Sequence, residues 1–485
     1  MYLGLDLGTS ALKALLLDAQ GGVAGEASAP LGVSRPRTGW SEQDPADWLA
    51  AAETVLERLA SDHDLSAVRG IGLSGHMHGA TLFDGALRAL RPCILWNDTR
   101  AHREAAAMDA DPRFRAITGN IVFPGFTAPK LAWLRAHEPK VFAATRHVLL
   151  PKDALRLWLV GEPAGEMSDA SGTAWLDTAA RDWSDELLAA TGLDRAHMPR
   201  LVEGSGVAGE LRATIARRFG LRPAIPVAGG AGDNAAAAIG TGVIGAGQAF
   251  LSLGTSGVLF AAAERYAPDP ASALHTFCHA LPGRWHQMGV VLAAADALAW
   301  YARLVGRDAA ALTDELGTVA APGSALFLPY LGGERTPHND AAIRGAFVGL
   351  EHVTDRAAGT RAVLEGVAYA FRDSLDAMRA TGTAPDRLIA TGGGSRSDYW
   401  LALLASVLQL PIDRPAHGAF GASLGAARLA MIAAGDADEN IVTPPPVARS
   451  FEPDPAMADA FDAAQTRYRA AYRALRSPQA ASPRT

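Results

Sequence analysis

Tyr2-Leu3-Gly4-Leu5-Asp6-Leu7-Gly8-Thr9-Ser10, running on through Ala11-Leu12-Lys13-Ala14-Leu15-Leu16-Leu17-Asp18, is the stretch whose reading decides the fold. Leu3, Leu5 and Leu7 alternate with small or polar residues, and a second apolar run covers 12–17. Two strands therefore flank a Gly-Thr-Ser turn, as in a β-hairpin. Asp6, just before the turn, offers a carboxylate for Mg²⁺ beside backbone N–H groups and hydroxyls able to hold phosphate oxygens. Taken alone, the pattern fits an ordinary N-terminal hairpin equally well.

Recurrence separates the two readings. Gln248-Ala249-Phe250-Leu251-Ser252-Leu253-Gly254-Thr255-Ser256-Gly257-Val258-Leu259-Phe260 repeats the opening design, with Leu-Gly-Thr-Ser at 253–256 matching 7–10 at an offset of 246. Two hairpins of one design, one at the start of each half, imply duplicated α/β domains facing each other across a cleft. In that register Asp6 corresponds to Ser252, so the carboxylate is unique to the first copy. That is what one metal-bound nucleotide between two phosphate-holding turns requires.

Two further corners carry glycine between a strand and a helix. Ile225 to Ala228 is a short strand pattern, followed by Gly229-Gly230-Ala231-Gly232-Asp233-Asn234 and an alanine run. Asp233 at this corner is either a helix N-cap or a base that takes a proton from a substrate hydroxyl during phosphoryl transfer. A helix N-terminus is expected to keep it ionised and to lower its basicity. In the second half, a helical pattern over 361–380 ends at Thr381-Gly382, and Leu388 to Thr391 is a strand opening into Gly392-Gly393-Gly394-Ser395. Three glycines there leave room for a base or ribose against bare backbone, or form a purely structural turn. Neither glycine run has the G-x-G-x-x-G spacing of a dinucleotide fold, and no Gly-Lys dipeptide exists to form a Walker P-loop.

Composition narrows the function classes. The 485 residues carry 44 basic and 51 acidic side chains, a net charge of −7 with no long run of either sign, so nucleic acid is not an expected partner. Two cysteines, Cys93 and Cys278, form neither a metal motif nor a disulfide framework, which suits a reducing cytoplasm. No secretory leader pattern opens the chain and no stretch of 18 apolar residues occurs, so no membrane association is expected. The oligomeric state has no sequence signal of its own, and a homodimer is compatible with the chain.

On the first half, Asp44-Pro45 caps a helix with Trp48, Ala52, Val55, Leu56 and Leu59 on one face. Val68 to Ser74 is a strand pattern delivering Gly75-His76-Met77-His78-Gly79, and Cys93 to Trp96 reads as a buried strand delivering Asn97-Asp98-Thr99-Arg100. Such side chains at strand ends can bind a polyol, although His76 and His78 alone make no complete metal site and Asp98 could equally cap a helix. Lys130, in a loop entering a helix, is one of only four lysines, with 13, 140 and 152. After Pro444-Pro445-Pro446 a last helix is expected over 456–475, then a disordered Pro/Ser tail.

With Gly4 to Ser10, Trp40-Ser41-Glu42-Gln43-Asp44-Pro45, Met77-His78-Gly79-Ala80-Thr81, Leu95-Trp96-Asn97-Asp98, Gly125 to Leu131, Gly232-Asp233-Asn234, His275 to Leu281 and Leu331 to Asn339 taken together, the chain resembles the FGGY carbohydrate kinases of the sugar kinase/Hsp70/actin superfamily, nearly end to end. The resemblance implies two ribonuclease H-like domains, 1–244 and 245–440, with ATP and sugar in the cleft between them, and a C-terminal segment 441–485 made of a helix and a flexible tail. It implies Asp233 as general base and Asp6 acting through Mg²⁺ and the transferring phosphate. Gly8, Thr9, Ser10, Lys13, Gly254 and Thr255 would line the phosphates, and Gly392, Gly393 and Gly394 would take the adenosine. Met77, His78, Asp98 and Asn234 would hold an open-chain ketose, with D-xylulose phosphorylated at its 5-hydroxyl. Ribulose, fuculose or a pentitol are the alternative acceptors, and a non-catalytic nucleotide switch is the alternative class. His76 stands where the family often has Gln, and Ala136 and Ala358-Gly359 depart from its signatures.

Overall fold

The computed structural model describes residues 1–416 and 421–476; the expected tail lies largely outside them, at 477–485. The first sheet contains β1 (Tyr2–Leu7), β2 (Ala11–Leu17), β3 (Val23–Pro30), β4 (Gly70–Gly75), β5 (Val207–Glu210), β6 (Pro226–Ala228) and the short β7 (Ala231–Gly232). The second contains β8 (Gln248–Leu253), β9 (Gly257–Ala263), β10 (His275–Cys278), β11 (Trp285–Val291), β12 (Arg387–Thr391), β13 (Ile412–Pro415) and β14 (Val447–Phe451).

The duplication is visible in strand order. The first sheet runs β3-β2-β1-β4-β6-β5 and the second β11-β9-β8-β12-β13-β14, with β7 added to β4 and β10 added to β11. Directions match pair by pair: three antiparallel strands, two parallel additions, then an antiparallel edge. In the opening hairpin Asp6 pairs with Lys13 and Leu7 with Leu12. In the second, Ser252 pairs with Val258 and Leu253 with Gly257.

Strand alternation assigns β1 its two faces. Leu3, Leu5 and Leu7 pack with Trp48, Val55, Leu56 and Leu59 of the helix Pro45–Asp62, whose Asp44 side chain accepts from the Ala46 N–H as expected. On the opposite face Gly4 of β1 and its partner Gly72 of β4 meet the helix Gly421–Ala433. A Cβ on Gly4 would stand 2.2 Å from the Ser423 carbonyl oxygen, and one on Gly72 1.8 Å from that of Ala426. The same helix crosses the helix Asp233–Thr241, where a Cβ on Gly425 would come within 1.8 Å of the Ala236 carbonyl oxygen. A helix late in the chain thus lies on bare backbone of the first sheet and braces the helix that begins at Asp233.

Three local expectations change. Cys93–Ile94 alone forms a strand, paired with Glu42–Gln43; the chain turns at Asn97, and Trp96 is 44% exposed rather than buried. The segment 441–485 is more than a helix and tail, because β14 completes the second sheet before the helix Ala458–Leu475. The helix expected from 361 begins at Arg356, capped by the Asp355 side chain, so Ala358-Gly359 does not disturb its start.

Candidate active site

Parallel pairing brings the chemistry together. Asp6 of β1 and Ala231 of β7 both pair with Ser74 of β4, so three neighbouring strands end side by side. From those ends come the turn at Gly8, the segment His76-Met77-His78, and Asp233. Ligands of α/β folds bind at such carboxyl ends.

Asp233 is the first residue of its helix, with Gly232 as N-cap, so it is not the cap that local sequence allows. Its Oδ1 accepts from the Asn234 backbone N–H at 2.7 Å and from Asn234 Nδ2 at 3.0 Å. Oδ2 has no protein partner among the described residues. Burial and the Asp6 carboxylate push its pKa up to about 6, against the lowering expected from the helix terminus; the Asn234 bonds offset only part of that. The corner itself is held from behind. Ser168 Oγ accepts from the Gly232 N–H at 3.1 Å and donates to Glu166, and Glu166 is paired with the buried Lys152.

Asp6 is pushed upward by burial, with the Ser74 hydroxyl and the Lys13 cation opposing. Its Oδ1 is buried without a hydrogen-bond partner. It borders a cavity of about 440 Å³ with Lys13, Glu26, Ser28 and the first residues of the helix Gly421–Ala433. A buried carboxylate bordering such a space suits a hard cation, and the amino end of that helix favours anionic oxygens. Among the described residues no group of three or more His, Cys, Asp or Glu forms a ready-made metal cage.

At the turn, the Gly8 N–H donates to Ala11 O at 3.0 Å and to Asp6 O at 3.2 Å, so it closes the hairpin and is not free for a phosphate. The open positions are those of Thr9 and exposed Ser10. Thr9 Oγ1 accepts from the exposed Trp96 indole at 3.1 Å, and Thr9 O from Gln43 Nε2 at 2.7 Å. In the second copy, Gly254 O and Thr255 O accept from the N–H groups of Ala295 and Ala294, anchoring that turn to the next helix. Gly392 follows β12, which is parallel to β8, and has φ +83°; a Cβ there would stand 2.7 Å from the Leu253 carbonyl carbon. Gly393 faces open space, and Gly394 backs onto Leu253 and Trp400.

The sugar-side residues divide. His78 has φ +70°, a costly backbone state for a residue with a Cβ. Its carbonyl is braced by Lys130 Nζ at 2.8 Å and Thr127 Oγ1 at 3.2 Å. Burial and Lys130 push its pKa down to about 3, so the ring is neutral. Nδ1 lies 2.7 Å from Gly172 O, which makes it the donor and leaves Nε2 an acceptor. Met77 lines the wall against Gly232 and Gly172. His76 points the other way, edge-on to Trp48 with both ring nitrogens buried and unpartnered, so the departure at 76 does not touch this wall.

Asp98 is not presented to a ligand here. Oδ2 accepts from the Ser41 N–H at 2.6 Å and Arg100 Nη2 at 2.7 Å, and Oδ1 from the Arg100 backbone N–H and Nε at 2.9 Å each. Its acceptor positions are filled by Arg100 of its own loop and by the backbone of Ser41. Lys130, fully buried with its pKa pushed down to about 7 by burial, and the amino end of Gly421–Ala433 are site components that sequence reading left without a role. Rarity of lysine was the one available signal.

Residues 1–240 match the N-terminal domain of the FGGY family of carbohydrate kinases, and residues 249–434 match its C-terminal domain. The chain is 47% identical to the xylulose kinase of Escherichia coli strain K12 over 485 residues, covering 98% of this chain and 99% of that protein. It is 49% identical to the xylulose kinase of Klebsiella pneumoniae over 464 residues, 94% and 95% of the two chains. The fold is similar to the crystal structure of a "xyloylose kinase" from Brucella ovis, with TM-score 0.97 and 61% identity over 98% and 99% of the two chains.

Proposed function

We infer the reaction from the premise that this chain belongs to the FGGY family of carbohydrate kinases: it transfers the γ-phosphate of ATP to the 5-hydroxyl of D-xylulose, giving D-xylulose 5-phosphate. Relatives of the same length and nearly half its residues support the substrate. The observation that carries the chemistry is Asp233, one oxygen fixed by Asn234 and the other without a partner among the described residues, beside the Asp6 carboxylate.

Asp233 Oδ2 accepts the proton of the attacking hydroxyl. With a pKa near 6 it is mostly ionised at neutral pH yet basic enough to take that proton as the O–P bond forms. The sugar is held by His78 Nε2, Asn234 and the Met77 wall. The backbone N–H groups and hydroxyls of Thr9 and Ser10, with Lys13, hold the transferring phosphate, and Gly254-Thr255 hold the remainder from the second half. Gly392 to Gly394 leave bare backbone for the adenosine. Asp6 fits Mg²⁺, which neutralises phosphate charge when bound. Transfer is in line, and water must be kept from the phosphate until sugar arrives.

No helix among the described residues is long and apolar enough to cross a membrane. The cytoplasm, where ATP is held, is the compartment this reaction needs. A homodimer is the assembly to test by light scattering.

The deciding experiment is ADP release with D-xylulose, D-ribulose, xylitol and glycerol side by side. D-Xylulose should give the highest kcat/KM; a higher value for another acceptor would replace the substrate and leave the phosphotransfer reading standing.

A further inference from the structure

Arg335 sits in a loop of the second half that is clamped from several sides. Glu334 and Asp340 exchange backbone hydrogen bonds at 2.9 and 2.8 Å. Thr336 Oγ1 accepts from the Val290 N–H at 3.1 Å and donates to Ala273 O at 3.2 Å. The side chain leaves this rigid base and reaches a wall to which both halves contribute, Phe123 and Phe126 from the first and His275 from the second. Its guanidinium carbon is 4.5 Å from the centre of the Phe123 ring, and Nη1 is 3.4 Å from His275 Nε2, at the long limit of a hydrogen bond. His275 packs on Phe126 and Phe126 stacks on His78, with ring centres 5.8 and 4.9 Å apart, so the cation belongs to the same wall as His78.

Among the described residues no carboxylate forms an ion pair with this cation. The acid its charge feels, Glu334, turns its Oε1 back onto the N–H groups of Leu292 and Arg335 itself. Burial pushes Glu334 up to about 8, so that acid is mostly neutral at physiological pH. The guanidinium is half-buried and open on one side, and the Phe123 ring holds its other side in place. Its donors, on the same wall as the acceptor Nε2 of His78, form a donor and acceptor set suited to a polyhydroxylated ligand with oxygens of both kinds.

We propose that Arg335 is a sugar ligand supplied by the second half, donating to oxygens of the acceptor ketose at the end remote from the hydroxyl that Asp233 serves. The sugar subsite is then shared by both halves, and sugar binding itself ties them together. This rests on the D-xylulose reading above, which turnover by the unaltered protein checks separately.

The test uses Arg335→Gln and Arg335→Lys in the full chain, with D-xylulose affinity by calorimetry, both KM values, kcat and thermal unfolding. Arg335→Gln should raise the Kd and KM for D-xylulose about tenfold or more, as expected for a lost charge-assisted hydrogen bond. The KM for ATP should stay within about twofold, and kcat should fall less than the sugar affinity. Arg335→Lys should recover part of the affinity, because it keeps the charge and loses the fork. Unchanged sugar affinity in folded Arg335→Gln would overturn the proposal, as would equal losses toward sugar and ATP. If neither variant folds, Arg335 is a structural cation and the proposal fails too. If the unaltered protein does not turn over D-xylulose, the substrate reading fails instead.

Discussion

The two hairpins, Tyr2 to Leu17 and Gln248 to Ala263, share a turn sequence, a strand order and a set of directions, yet only one carries a charge at its end. Asp6 pairs across its hairpin with Lys13 and beside it with Ser74; Ser252 pairs with Val258 and Thr391. The architecture is duplicated, and the electrostatics are not. On the proposed function one scaffold serves two jobs: a charged copy next to Asp233 for phosphate transfer, and a neutral copy for holding the nucleotide.

The sharpest break is Asp233→Asn, which removes the proposed base that only the charged copy has beside it. We expect kcat to fall about 10³–10⁴-fold in an ADP-release assay, with ATP affinity by calorimetry unchanged. A loss under tenfold, about 1.4 kcal/mol of barrier, would sink the general-base assignment. Asp6→Ser makes the first copy like the second. It should cost roughly 10²-fold in kcat, weaken the response to added Mg²⁺, and move the acid limb of the kcat profile below its expected position near pH 6, because the like charge raising Asp233 is gone.

The reciprocal Ser252→Asp sets a second carboxylate against the phosphates. About a tenfold rise in the KM for ATP should follow, with the KM for sugar unmoved; an equal rise in both would mean that the neutral copy does more than hold nucleotide. The smallest effect is on stability. Asp233 has a folded pKa near 6 against 3.8 for the ordinary group, so its ionisation opposes folding. That penalty is complete above about pH 6, shrinks as pH falls toward 3.8, and is absent below. Asp233→Asn should thus gain on the order of 1–3 kcal/mol at pH 8, a melting temperature a few degrees higher, and nothing near pH 3.5.

Much of this was legible because it is local or repeated. The alternation around Asp6, the 246-residue offset and the glycine corners at 229–232 and 392–394 are short-range patterns, and each marks a real strand end. What failed to show depended on which hydrogen bonds the folded backbone closes, some within the same turn and some with partners distant in sequence. Gly8 looked like an open phosphate donor until Ala11 O took its N–H, and Asp98 looked like a sugar ligand until Ser41 and Arg100 surrounded it. Helix position alone argued that Asp233 should be acidic, but burial and a second carboxylate, from a strand more than 200 residues earlier, outweigh the helix end. Val447–Phe451 escaped notice because an edge strand with four exposed residues lacks the apolar alternation that marks an inner one.

The helix Gly421–Ala433 has one more consequence, in time. It covers the face of the first sheet that Gly4, Gly70 and Gly72 leave as bare backbone, and it is synthesised about 350 residues after β4. At roughly 5–20 residues per second the strands wait tens of seconds on the ribosome for their cover. The N-terminal half cannot finish folding as it emerges; its last step belongs to the C-terminal half, so a nascent chain halted before residue 421 should remain protease-sensitive however much of the first sheet it holds.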